Sequence, residues 1–322
     1  MQWNEALLTN EQARTFGFSA SVFQHGLCDS GAFSDIALAQ LLDKHPREHI
    51  HALTMGDDPT RPNENLRLAH DHLSGSALIH AVKHGRLWLN IKHVDEVHEE
   101  MRDLVNSLYG SLRRQVDGFA PERTRATLLI SSPRALVYYH VDGPPSLLWH
   151  LRGKKRIWIY PALDERFVSR DDLEDIHAGA KHEYVPYQPE FDAYATVIDL
   201  DPGQVASWPQ NAPHRITNAD MFNVSLATEH YTEASRRRAR IYRANRFLRR
   251  TLHVRAKEAC EQGLATMAKV ALHRLCVMAR IERVAIKQHQ PVTPAESRMI
   301  RLDAAASSMV ANSVISEDAT RT

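Results

Sequence analysis

Three residues in this sequence have the types and spacing to hold a catalytic metal: His140, Asp142 and His214. The segment ALVYYHVD (135–142) reads as a strand. Side chains alternate along a strand, so an imidazole and a carboxylate two positions apart share a face and can take adjacent coordination positions. His214 follows the strand-like run QVASWP and precedes FNVSLATEH, where it can supply a third donor from another part of the fold. Two histidines and one carboxylate make a facial triad that leaves three coordination positions open. With 19 histidines in the chain, a chance His-x-Asp followed by another His is a real alternative. Lys155 sharpens the reading. In KKRIWIY (154–160) it alternates with Ile157 and Ile159, whereas Lys154 and Arg156 share the other face with Trp158 and Tyr160. A lysine on the aliphatic face is expected to be buried, and a buried ammonium needs an anionic partner. No acidic residue lies close by in sequence, so the carboxylate of a bound co-substrate is the expected partner. The competing assignment makes Trp158 and Tyr160 the core face and leaves Lys155 in solvent.

The elements that must position these residues change character along the chain. Residues 1–125 mix helices and strands. HIHALTM (49–55) and RLWLNIKHV (86–94) read as strands, and 54–65 as an exposed, turn-rich loop. Residues 94–116 read as one helix, with Val97, Met101, Leu104, Leu108 and Leu112 at spacings of three and four. From 126 to 231 short β-type runs follow one another, separated by turns such as Gly143-Pro144-Pro145 and Asp201-Pro202-Gly203. That pattern predicts a barrel or sandwich, and the jelly roll is the version that carries metal sites. Residues 164–189 read as an irregular surface insertion. Beyond Thr232 the β signal stops. An arginine-rich helix is expected over 233–257 and an apolar one over roughly 260–288, ended by Pro291 and Pro294, before a frayed tail beyond about 304.

Composition sets outer bounds. Hydrophobic residues make up 43% and charged residues 25% of 322, an ordinary globular balance. No apolar run approaches a membrane span, and MQWNEALLTN lacks the pattern of a secretory signal. Cys28, Cys260 and Cys276 are too dispersed for a disulfide framework or zinc knuckle, which together with the other signals predicts a cytoplasmic protein. The net charge of +1 hides an asymmetry: residues 1–231 hold 22 Lys/Arg against 31 Asp/Glu, and residues 232–290 hold 15 against 4. That break marks the expected boundary of a basic C-terminal helical segment (232–322), after an α/β elaboration (1–125) and a β core (126–231).

The segment His140-Val141-Asp142, followed by PPSLLWHLRGKKRIWIYP and then PGQVASWPQNAPHRI, resembles the JmjC and cupin-like 2-oxoglutarate oxygenases. That family includes the asparaginyl hydroxylase acting on hypoxia-inducible factor. The resemblance covers roughly 126–231 and implies a double-stranded β-helix (jelly-roll or cupin) core that binds iron(II) through His140, Asp142 and His214. It implies that Lys155, fifteen residues after His140, pairs with the distal carboxylate of 2-oxoglutarate. It further implies hydroxylation of a substrate by dioxygen, with a protein or peptide side chain favoured over a small molecule or a tRNA base. C-terminal helices in relatives often make a homodimer. Four positions depart from the family pattern: Val137 in place of a hydroxyl, Ser146 and Glu229 in place of amides, and Gln204 in place of an Asp. Tyr138, Ser146, Asn223 and Ser225 are the expected sources of replacement hydrogen bonds to the co-substrate.

Two rivals are weighed against this enzyme. One is a non-catalytic cupin-like regulator that contacts nucleic acid through the basic segment 236–257, whose arginines could equally pair with the acidic body or a dimer mate. The other is a cupin using another metal without 2-oxoglutarate, which would have no need of an inward lysine.

Overall fold

The computed structural model describes residues 6–64, 66–251, 253, 263–281 and 299–301. The N-terminal part runs α1 (Asn10–Thr15), β1 (Ser21–Gln24), α2 (Asp35–Lys44), β2 (Ile50–Thr54), β3 (Leu66–Ala69), α3 (Gly75–His84) and β4 (Leu87–Ile91). Helices α4 (Val94–Val97) and α5 (Glu99–Gln115) follow. The β-rich part holds β5 (Glu122–Ser131), β6 (Leu136–His140), β7 (Ser146–Arg152), β8 (Lys155–Ile159), β9 (Thr196–Leu200), β10 (Gln204–Ser207), β11 (His214–Asn218) and β12 (Asn223–Tyr231). Helix α6 (Arg170–His177) lies between β8 and β9, and α7 (Glu233–Thr251), α8 (Leu264–Met278) and β13 (Met299–Arg301) close the described chain. Ser34, Ser74 and Ser169 start α2, α3 and α6 by accepting a hydrogen bond from the backbone NH three residues on.

The strands form two sheets. One has the order β1-β10-β7-β12-β5-β4-β2-β3-β13, and the other β6-β11-β8-β9. Between them packs an apolar layer that includes Leu129, Leu148 and Ala227 from the large sheet and Ile157, Ile159 and Ile216 from the small one. This is the expected jelly-roll core, extended at one edge by β4, β2 and β3 from the N-terminal part. The opposite face of the large sheet is covered by helices, with Leu42, Leu78, Leu104 and Leu108 packed against a cluster that includes Trp149 and Leu226. Burial on both faces explains why β7 reads as a nearly unbroken apolar run.

The turn into β8 depends on Gly153, at φ +86. An added Cβ there would sit 2.5 Å from Asn223 Cγ and 2.6 Å from the Phe222 carbonyl oxygen. Gly153→Ala is expected to lower stability by about 2 kcal/mol or more, as a shift of the denaturant midpoint. A midpoint equal to the parent's would show that the turn relaxes freely.

Several elements differ from the sequence reading. The helix over 94–116 is two helices broken at His98, whose φ/ψ of −109/120 is extended and whose Nε2 lies 3.0 Å from His45 Nδ1. The insertion 164–189 carries α6, with Leu173 and Ile176 buried. Its sequence, RDDLEDIH, has too few apolar residues to announce a helix, because what holds it is charge. Arg246 pairs with Asp175 at 2.7 Å, Arg249 with Glu174 at 2.7 Å and with Asp171 at 3.1 Å, and Arg250 with Asp175 at 3.1 Å. The C-terminal half of α7 is thus spent on the acidic body. On α8 the residues turned inward are Thr266, His273 and Cys276, whereas Leu264, Met267, Leu275 and Met278 of its apolar ridge are exposed. The ends of the two expected C-terminal helices, Pro291, Pro294 and the tail beyond 304 lie outside the described residues.

Candidate metal centre

The small sheet brings the triad together. In the antiparallel pairing of β11 with β6, His214 stands opposite His140, with an irregularity between His214 and Ile216. Asp142 lies two residues past His140, just beyond the end of β6. That extension is held from two sides: the Val141 NH donates to Glu183 O at 2.9 Å, and Gln210 Nε2 donates to Gly143 O at 2.8 Å. His140 Nδ1 is 2.7 Å from Tyr138 O, and His214 Nδ1 is 3.1 Å from Ala212 O. A backbone carbonyl only accepts, so each Nδ1 carries the proton and each Nε2 lone pair is left for a metal. Those nitrogens face the two oxygens of Asp142, His140 Nε2 at 3.7 Å from Oδ1 and His214 Nε2 at 3.6 Å from Oδ2. Bonds of ~2.1 Å at right angles would bring such donors to about 3 Å apart, a small inward movement from this arrangement. Burial, and then the neighbouring His140, lower the His214 pKa to about 4, so the ring is neutral and a ready ligand at pH 7. Among the described residues this is the only group of three His, Cys, Asp or Glu donors lying within 4.8 Å of one another.

No family model matches this chain, and no curated protein matches it. Among solved structures the chain is similar to Escherichia coli ribosomal oxygenase YcfD. One structure of that protein matches at 14% identity and a TM-score of 0.48, covering 89% of this chain and 71% of the other. Its complex with cobalt and 2-oxoglutarate matches at 12% identity and TM-score 0.48, covering 87% and 70%. Its complex with cobalt and succinic acid matches at 14% identity and TM-score 0.46, covering 88% and 70%.

Lys155 opens β8, where the burial alternates: Lys155, Ile157 and Ile159 are buried, Arg156 is exposed and Trp158 is half-buried. Lys155 is therefore on the interior face. The competing face is occupied differently: the Arg215 guanidinium lies 3.5 Å from the centre of the Trp158 ring and pairs with Asp192. Lys155 Nζ donates to Asn218 Oδ1 at 2.9 Å and Ser131 Oγ at 3.4 Å, both neutral oxygens. Burial alone lowers its pKa to about 7, and among the described residues no carboxylate is bonded to it. Register places it opposite Asn218, and Ile159 opposite His214. The lysine is thus four residues, about 13 Å of strand, from the level of the triad.

The other expected residues divide. Ser225 and His150 hydrogen-bond to each other at 2.9 Å inside the barrel. Asn223 Nδ2 donates to Met221 O at 2.7 Å, while its buried Oδ1 has no partner. Ser146 donates to Pro144 O, and the Tyr138 hydroxyl accepts from the Gly56 NH at 2.9 Å. Glu229, directly across from Ser146 in the register of β12 and β7, is half-buried. Burial first, then Asp142 and Glu183, raise its pKa to about 7. At the position of the expected Asp, the Gln204 Oε1 accepts from the Asp201 NH at 2.8 Å and closes the turn. Sequence reasoning missed Ser131, Asn218 and Gln210. Asn218 was within reach of it, because alternation from His214 through Ile216 puts residue 218 on the same strand face.

Proposed function

We propose that this chain is an iron(II)- and 2-oxoglutarate-dependent dioxygenase that hydroxylates a substrate. The observation that carries the reading is the buried Lys155, bonded to neutral oxygens only, in the same barrel as two histidines and an aspartate with converging donors. His140, Asp142 and His214 would hold the metal, and Lys155 the distal carboxylate of 2-oxoglutarate. Bound iron(II) supplies dioxygen activation, so that 2-oxoglutarate, dioxygen and a substrate C–H group become succinate, carbon dioxide and C–OH. The chain's own part is orientation. Tyr138 O and Ala212 O fix the two imidazole tautomers, Gln210 holds the Gly143 carbonyl behind Asp142, and Trp208 packs on His214 with ring centres 4.5 Å apart.

The test is anaerobic titration of the protein with iron(II) and 2-oxoglutarate, followed by succinate release in air. Absence of 2-oxoglutarate binding by the iron-loaded protein would remove the proposal. Glu229 yields a sharper check, because its carboxyl stands where the resemblance places an amide and shares the field of Asp142. A negative charge there opposes a dianionic co-substrate. Glu229→Gln is expected to tighten 2-oxoglutarate binding about tenfold at pH 8. Weaker binding would instead make Glu229 part of the co-substrate contact.

Among the described residues no helix is long and apolar enough to cross a membrane. A cytoplasmic location and the three-part division at about 125 and 231 belong to this proposal. So does a homodimer through the C-terminal helices, for which light scattering of the full chain is the check.

A further inference from the structure

The arginines of α7 are not equivalent. Those of its C-terminal half are neutralised by Asp171, Glu174 and Asp175 of α6. Nearer the N-terminus, Arg236, Arg240 and Arg243 fall on one side of the helix at spacings of four and three. Arg274 of α8 and Arg123 of β5 come close enough to act on Arg240 electrostatically, as do Arg236 and Arg243. Against these five guanidiniums the described structure sets one carboxylate: Glu122, which Arg236 holds at 2.8 Å and 3.0 Å. Arg243 donates to a neutral oxygen, His177 O at 2.7 Å. Arg123, Arg240 and Arg274 make no ion pair among the described residues. Gathering like charges without counter-charge is unfavourable, so the arrangement asks for an external anion.

The cluster adjoins a cavity of about 680 Å³ whose wall includes Arg243, Ala239 and Tyr231. Its lining also includes Gly143 and Glu183, the residue after Asp142 and the residue whose carbonyl accepts from the Val141 NH. Lys92 and His182 also face it. The cavity thus has Arg243 in its lining together with Gly143, the neighbour of Asp142 in sequence, and its volume is within the range of ligand pockets.

We propose that the substrate is a nucleotide in a nucleic-acid strand. The phosphodiester backbone lies along Arg123, Arg240, Arg243 and Arg274, and the nucleotide to be oxidised enters the cavity beside His140 and Asp142. This rests on the dioxygenase reading and names its substrate class. Guanidinium forks match phosphate oxygens, and they stay charged when crowded. Arg240 and Arg243 lie on α7, Arg274 on α8 and Arg123 on β5. The charge is thus spread over three elements, as contacts to several phosphates of a strand require, rather than gathered at one point for an isolated anion. Tyr231 on the cavity wall offers a ring for an unstacked base.

The probe is a fluorescein-labelled 20-nucleotide single-stranded RNA of mixed sequence, read by anisotropy with the full chain. With about four phosphate contacts, affinity is expected to fall about 50-fold between 50 and 200 mM salt. Arg240→Glu/Arg274→Glu should lose more than about tenfold at 50 mM, and Arg240→Gln/Arg274→Gln should lose less, both with the parent's thermal midpoint. Arg134→Glu/Lys154→Glu, an equal charge change at exposed sites elsewhere, should bind as the parent does. Absence of binding at 50 mM salt overturns the proposal. Equal loss in the control pair, or equal competition by polyglutamate, shows only general attraction of polyanions and overturns it too. The readout needs neither iron nor 2-oxoglutarate. A chain that binds RNA without binding 2-oxoglutarate therefore loses the dioxygenase reading, and one that binds 2-oxoglutarate but not RNA loses the substrate class.

Discussion

Lys155→Ala is expected to raise the dissociation constant for 2-oxoglutarate more than about a hundredfold while leaving iron(II) binding close to the parent's. The ammonium is within the barrel, and its partners Asn218 and Ser131 are neutral. Removing one member of a buried, hydrogen-bonded ion pair costs ~3–5 kcal/mol, which is the source of that factor. The adjacent Lys154 is a control, because it is exposed and pairs with Asp201 at 3.0 Å; Lys154→Ala should change affinity little. Equal affinities in the two variants would remove Lys155 from the co-substrate site. The pH dependence has a definite sign. In the free protein burial holds the Lys155 pKa to about 7, and a bound carboxylate favours the protonated form. Affinity is therefore full below pH 7 and should fall by up to about tenfold per pH unit above it, until the pKa of the bound form is reached. A flat profile between pH 6 and 9 in the parent would argue against an amine that titrates on binding.

Replacing any of His140, Asp142 or His214 by Ala should abolish stoichiometric iron(II) binding without unfolding the chain. Each supplies one of three donors that approach one another within 4.8 Å, and two donors cannot complete a facial site. The substitutions differ in their effect on stability. His214 is 2% exposed and packs against Trp208, so His214→Ala leaves a void and should lower the thermal midpoint measurably. His140 and Asp142 keep side-chain exposures of 14% and 19% and should be nearly neutral. The check is metal content after anaerobic loading, with circular dichroism to confirm the fold. Parent-like iron content in His214→Ala would exclude the triad as the metal centre.

The inward face of β8 was legible in the sequence, because it follows from two-residue alternation, a property of the strand alone. The same alternation paired His140 with Asp142, although Asp142 lies just beyond the end of β6 and is held there by tertiary contacts. Also legible were the run of strands from β5 to β12 and the amphipathic stretch that became α5, whose apolar period survives Gly110. Tertiary structure decided how these elements meet. Opposing His214 to His140 needs the β6–β11 register, which no local pattern encodes. The neutral surroundings of Lys155 depend on Ser131, which is distant in sequence and reaches the lysine only when β5 and β8 face each other across the barrel. The charge asymmetry was visible as numbers, but only the docking of α6 on α7 showed which arginines are neutralised and which stay without a counter-charge. Helix α6 itself was missed, because only Leu173 and Ile176 mark its buried face and the rest of its hold comes from ion pairs to the distant α7. Periodicity is written residue by residue into the chain. Pairing between elements is set by packing and loop closure, and appears only when the chain has folded.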